Sequence, residues 1–334
     1  MRTSTLRSHG RRSRRSIRSA TTVASAVAAL VTSAALLTGC VIGDVDRDGG
    51  ADAASDPSDA SGSGTGAPQP TAPAGAQATQ NPDTGTSGDL ELPAELGEFS
   101  VALLDDGTLH TGGTLGDGGD LTDAAWSTSK VPLAIAALRQ AEADGDPAAL
   151  EQVTASIRQA IGVSDNGAAD ALWASLGEPA TAAQKVEAVL ADAGVSTDVP
   201  AERPRGDFSA YGQTRWSVSD QARFAGQLGC LSSAGPVVEA MGQVDPGQSY
   251  GIGRLDGAWF KGGWGPGADG RYLVRQFGLV PGDDGTSVPV AVAVIAPDGS
   301  YESAQGALDD VVEALRDRID AATGVTSPGE QADC

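Results

Sequence analysis

The order of patterns after about residue 91 constrains the fold more than any single segment: strand-like runs stand at both ends and helix-like runs fill the middle. "EFSVALLDDGTLHTGG" reads as two strands joined at Asp106-Gly107, a pair suited to a hairpin turn. From Ala124 to about Ala143 an Ala/Leu/Ile-rich run predicts a helix that is apolar on most sides and therefore buried. After "DGDP", Asp146 suits a cap and Pro147 the first helical position. Leu150, Val153, Ile157 and Ile161 then recur at helical spacing until Gly162. A further helix is expected near Asn166, with two more in "TAAQKVEAVLADAG" and "SVSDQARFAGQL". Strands return in "GAWFKGG", "RYLVRQFGLV" and "VPVAVAVIA", and a last helix shows Leu308, Val311, Val312, Leu315 and Ile319 on one face. The expected class is α+β: a mainly antiparallel sheet from both chain ends packed on the terminal helix, with a central all-helical subdomain. This domain is expected over residues 92–322, with 323–334 as a tail.

What precedes it has the composition of an address and a tether. A basic segment "RRSRRSIR" leads into the apolar "TTVASAVAALVTSAALL", and "LTGC" closes on Cys40. This resembles a bacterial lipoprotein signal over residues 1–40, which implies lipidation of Cys40 and an extracytoplasmic protein anchored to the membrane. "SRRSIR" also resembles a twin-arginine signal, so the export route stays open between the two systems. Residues 41–91 are Asp, Gly, Ser, Thr, Pro and Ala with almost no large apolar side chain. They cannot bury enough surface to offset the entropy of ordering, so they read as a disordered tether. A flexible coil of about fifty residues would hold the domain roughly 40 Å from its anchor.

Charge narrows the partners. The net charge is −22, and the seven arginines before Cys40 are unopposed by any acid, so the remainder carries −29. Nucleic acid is not expected to bind such a surface, and a monomer is expected. With Cys40 lipidated, Cys230 and Cys334 are left either as a disulfide tying down the tail or as two thiols. Three cysteines and two histidines do not suit a zinc site, and no metal or cofactor is expected.

Only three of the 22 basic residues are lysines: Lys130, Lys185 and Lys261. Lysine, unlike arginine, can lose its proton in a buried setting, so its placement is informative here. Ser127 precedes Lys130 by three residues, a spacing that puts both side chains on one helical face. His9 lies in the export segment and His110 on the first hairpin without an evident acid to orient it, which leaves lysine as the base for a serine nucleophile. Two later features bear on the same chemistry. "SDN" at Ser164 to Asn166 falls between two helices, and "FKGG" ends an aromatic strand, where Gly262 and Gly263 let a ligand approach the backbone.

Ser-x-x-Lys, Ser-Asp-Asn and a Lys-led strand motif, in that order, resemble the motif set of the penicillin-recognising serine enzymes, the class A β-lactamases and penicillin-binding proteins. The resemblance runs from about Glu98 to Asp320. It implies acylation of Ser127, with Lys130 as proton acceptor or activating charge, and a relay through Ser164 to the leaving nitrogen. Asn166 would hydrogen-bond the substrate's amide, and Lys261 would place positive charge toward Ser164 and a substrate carboxylate. The N–H groups of Ser127 and Trp264, beside Gly263, would form the oxyanion hole. Asp165 is expected to be structural. The implied ligand is a β-lactam or a cell-wall (peptidoglycan) peptide.

Three departures qualify those implications. The gap from Ser127 to Ser164 is 37 residues, short for class A, which implies a more open cleft. Gly262 replaces a hydroxyl residue that would help bind a carboxylate. Arg275 on the next strand is a candidate substitute, or else a surface strand arginine. Glu202 stands where the resemblance places the base for deacylation but is followed by Arg-Pro-Arg, so it reads either as that base or as a solvated loop acid. Slow deacylation is expected within the catalytic reading. The rival is a catalytically degenerate lipoprotein that binds wall fragments or a protein partner.

Overall fold

The computed structural model describes residues 86–87, 90–282, 285–328 and 334. The signal segment with Cys40 and all but the end of the expected tether lie outside the described residues. Two strands open the domain, β1 (Thr86–Ser87) and β2 (Glu98–Asp105), followed by β3 (Thr108–Gly113). Asp106 and Gly107 both take positive φ, 46° and 74°, as the tight hairpin joining β2 to β3 requires. β4 (Thr122–Ala124) then leads to a 3₁₀ turn, Trp126–Ser129.

The middle is helical: α1 (Lys130–Asp144), α2 (Pro147–Gly162), α3 (Asn166–Ser175) and α4 (Pro179–Asp192). The Asp146 carboxylate accepts from Ala148 N at 3.0 Å and Pro147 opens α2, as expected from the sequence. Pro132 lies in the first turn of α1, where backbone N–H groups have no helical partner to lose. β5 (Arg215–Ser217) pairs with β4, and α5 (Val218–Gln227) and α6 (Gly235–Met241) follow. The chain returns through β6 (Trp259–Pro266), β7 (Tyr272–Pro281) and β8 (Ser287–Ile295) to α7 (Tyr301–Ala321).

The main sheet runs β1-β3-β2-β8-β7-β6, antiparallel throughout except for the parallel β1–β3 pair. Both faces are covered. Val290, Val292 and Val294 of β8 belong to the apolar layer under α7, while Ala291 and Ala293 join the layer shared with α5 and the helical middle. Alternation along the strand thus sets a bulky face and a small-residue face. No helix among the described residues is long and apolar enough to cross a membrane.

Two expectations change. The helix expected from Ala124 begins at Lys130, so Ser127 sits on the preceding 3₁₀ turn. The physical reason is Trp126, whose φ of 52° interrupts right-handed helix. The expected tether also ends early: Thr86–Ser87 pairs with Leu109–His110, and Leu90 is buried, its N–H donating to Thr111 O at 3.0 Å. Backbone pairing needs no apolar side chain, so composition did not reveal it. The disulfide that the sequence allowed is present: Cys230 and Cys334 are joined across a separation of 104 residues.

Candidate active site

Ser127 is held by its turn and by the strand that packs on it. A Cβ at Gly263 would stand 2.8 Å from Ser127 N and 2.9 Å from both Thr128 N and Ala125 O, so β6 can approach the turn this closely only through glycine. Two residues on, a Cβ at Gly265 would meet the Trp126 ring at 2.4 Å. The ring of Trp126 therefore lies over Gly265, which helps to hold its left-handed backbone, a conformation that costs about 1–3 kcal/mol in a non-glycine residue. Ser164, in the α2–α3 connection, has φ of 58°.

The two motif lysines meet at Ser164. Lys130 Nζ donates to Ser164 O at 2.6 Å, to Asn166 Oδ1 at 2.8 Å and more loosely to Ser164 Oγ at 3.4 Å. Lys261 Nζ donates to Ser164 Oγ at 2.9 Å and to Gly262 O at 2.8 Å. Ser127, Lys130, Ser164 and Lys261 are 6%, 1%, 3% and 1% exposed, so these amines and hydroxyls act on one another with little screening by water. Asp165 caps α3 through Ala168 N at 2.6 Å, the structural role expected of it.

Ser127, Lys130, Asn166 and Trp264 line one small cavity, whose remaining walls include Phe208, Ser209, Tyr211 and Gly212. Its volume is about 10 Å³, the room of about one water, whereas small-molecule sites run to roughly 300–1,000 Å³. The segment carrying Phe208 to Gly212 thus covers the serine, and the open cleft expected from the short Ser127–Ser164 gap is not what the structure has. Phe208 meets Trp126 edge-on with centroids 5.0 Å apart, and Tyr211 Oη donates to Asp170 Oδ1 at 2.8 Å. The aromatic wall was not foreseen, because nothing in the local sequence pairs Phe208 with Trp126.

Two candidates take other places. Arg275 is fully buried, and its guanidinium is spent on protein: Nε and Nη2 donate to Gln221 Oε1 at 3.1 and 2.7 Å, Nη2 to Trp216 O, and Nη1 to Asp123 O and Ala124 O. Burial pulls its pKa down to about 10, opposed by Asp123 and Asp120. It is neither a substrate ligand nor a surface arginine; it locks β4, β5 and α5 together beneath the serine turn. Gln221 extends that lock, its Nε2 donating to Thr128 Oγ1 at 2.7 Å. Glu202 is exposed and does not line the cavity beside Ser127. The Trp264 side chain stacks on Tyr301 at 5.1 Å, on the α7 side of β6, so only its backbone is offered to the serine side.

No family model matches the sequence, and no curated protein matches it. Solved structures do match the fold. A β-lactamase from Burkholderia vietnamiensis is 21% identical with a TM-score of 0.54, over 69% of this chain and 96% of its own. The fold is that of the class A β-lactamases. A class A β-lactamase from Bacteroides cellulosilyticus is 12% identical with a TM-score of 0.54, over 67% of this chain and 92% of its own. A β-lactamase from Chitinophaga pinensis is 18% identical with a TM-score of 0.53, over 66% and 94%. At such identities the β-lactamase likeness establishes architecture and leaves the chemistry to be argued from the site.

Proposed function

We propose that this chain is a lipid-anchored, extracytoplasmic serine acyl-enzyme of the β-lactamase and D,D-peptidase type, taking a β-lactam or a cell-wall peptide and releasing the acyl group slowly. The observation that carries the reading is the convergence of Lys130 and Lys261 on Ser164, from positions 34 and 97 residues away. In a neutral Lys130 two N–H bonds satisfy Ser164 O and Asn166 Oδ1, and the lone pair is left to accept the Ser127 proton. Ser127 Oγ then bonds to the substrate carbonyl carbon as the C–N bond breaks. The proton passes from Lys130 through Ser164 Oγ to the leaving nitrogen. Lys261 fixes Ser164 as the relay and supplies positive charge for a substrate carboxylate, a task in which Gly262 provides no hydroxyl.

Slow release follows from what surrounds the serine. No carboxylate is among the residues lining its cavity, and Glu202 is exposed, so a water placed to attack the acyl-enzyme has no evident base there. Anchoring through Cys40 rests on the sequence "LTGC", and the Cys230–Cys334 disulfide fits an oxidising location. Labelling with a fluorescent penicillin, followed by a chase with unlabelled drug, tests the chemistry. The reading requires label that depends on Ser127 and outlives many rounds of buffer exchange. The cavity of about 10 Å³ favours a second reading, binding without turnover, which would appear as no label under any condition.

A further inference from the structure

The segment that covers Ser127 is fastened unevenly at its two ends. Between them its backbone bonds are local: Phe208 N donates to Arg205 O and Gln213 N to Ala210 O, each at 3.0 Å. Neither bond reaches β6, α3 or the serine turn. A span closed by local bonds alone opens at lower free energy than one paired into a sheet or a helix.

The Tyr211 end is a fixed post. Tyr211 is buried, its hydroxyl donates to Asp170 on α3 at 2.8 Å, and its ring packs on Trp173 with centroids 5.5 Å apart. Its carbonyl accepts from Thr214 N and Thr214 Oγ1, and Thr214 O accepts from Ala125 N beside the serine turn. The other end hangs on one side chain. Arg205 is half-buried, and its Nη1 donates to Pro266 O at the end of β6 at 2.8 Å. The guanidinium lies 4.2 Å from the Phe208 ring centroid and 5.7 Å from that of Trp126. Next to it Gly206 is exposed, and a Cβ there would meet nothing within 4 Å, so the backbone has room to turn.

With Phe208 and Ser209 on the wall, the space at Ser127 is about 10 Å³, too small for any acyl donor. We propose that residues 205–210 form a lid over Ser127 that pivots at Tyr211 and is latched by Arg205 on Pro266 O and on the Phe208 and Trp126 rings. Release of Arg205 lets Phe208 and Ser209 leave the cavity wall and exposes the serine. The rate at which any reagent meets residue 127 then scales with the fraction of open molecules, so a weaker latch gives a faster reaction. The lid stands on these contacts alone; its control over acylation rests on the acyl-enzyme reading.

Ser127→Cys places a thiol under the lid, and N-ethylmaleimide, an uncharged reagent, reports access to it by peptide mapping and mass. Lys130 nearby favours the thiolate and would by itself speed the reaction, so slow modification reports the cover. Modification in the folded full chain is expected to be at least tenfold slower than in the same chain unfolded in urea. Arg205→Gln and Phe208→Leu, each added to Ser127→Cys, are expected to raise the folded-state rate at least tenfold. Arg203→Gln, on the exposed run before the latch, is expected to leave it unchanged. Melts of each variant verify that the fold persists at the assay temperature. Modification as fast in the folded chain as in the unfolded one overturns the cover, and an unchanged rate in both latch variants overturns the latch. With Ser127 intact, the same two variants are expected to speed labelling by fluorescent penicillin. Faster thiol modification with labelling no faster overturns the lid's control over acylation. Faster thiol modification with no labelling of any variant supports the lid and counts against the acyl-enzyme reading alone.

Discussion

Lys261 Nζ and Ser164 Oγ are 2.9 Å apart, joining the edge strand β6 to the α2–α3 connection across 97 residues of chain. Lys261→Met keeps the stem of the side chain and removes the donor. If Ser164 relays a proton under that control, acylation slows by about 10²-fold or more, the usual size of a lost acid–base element. Time-resolved labelling with a fluorescent penicillin measures it, and a thermal melt separates the effect from unfolding.

Gly263→Ala would push a Cβ to within 2.8 Å of Ser127 N and 2.9 Å of two further backbone atoms. Backbone cannot rotate away as a flexible side chain can, so the turn has to shift. Labelling at Ser127 is expected to disappear while Gly262→Ser, whose Cβ meets nothing nearer than 3.7 Å, is tolerated. Parallel labelling of the two variants makes the comparison.

Arg275→Met leaves the acceptors of Gln221, Trp216, Asp123 and Ala124 without their donor in the interior. The expected loss is about 3 kcal/mol or more, measured as a lower denaturant midpoint. A protein as stable as the original but weaker toward a carboxylate substrate would contradict the structural role.

Removing the disulfide with Cys230→Ser and Cys334→Ser frees a loop of 104 residues. On the chain-entropy model this costs up to about 4–5 kcal/mol, and a lower melting temperature is expected.

Acid pH should weaken the start of α7. Ser303 Oγ and Ser300 N donate to Asp298, and these bonds hold its carboxyl below the ordinary value of 3.8. A depressed folded-state value means the contribution is full above 3.8 and is lost as pH falls through the lower folded value. The stability gap between the protein and Asp298→Ala is therefore expected to be present near neutrality and to close in acid, as read by melts across pH.

Much of this was legible in the sequence because it rests on local pattern. Period-2 valines in β8, the Asp146-Pro147 start of α2 and the Asp106-Gly107 turn each state their own geometry. The Ser127, Lys130, Ser164 and Lys261 set was legible because lysine is so scarce here. What escaped depends on distant contacts. Arg275 read as exposed or substrate-facing because nothing near it names Gln221 or the Trp216 carbonyl, 54 and 59 residues away. The covering of Ser127 by Phe208 escaped likewise, since the segment around it is irregular and its packing on Trp126 is a tertiary fact.

The central claim is that Ser127 becomes acylated. Intact-protein mass after mixing the full chain with benzylpenicillin, beside Ser127→Ala, tests it most directly. The account predicts a mass increase equal to the whole drug, persisting over hours and absent from the variant. An unchanged mass with no drug consumed, in a folded protein, would contradict it.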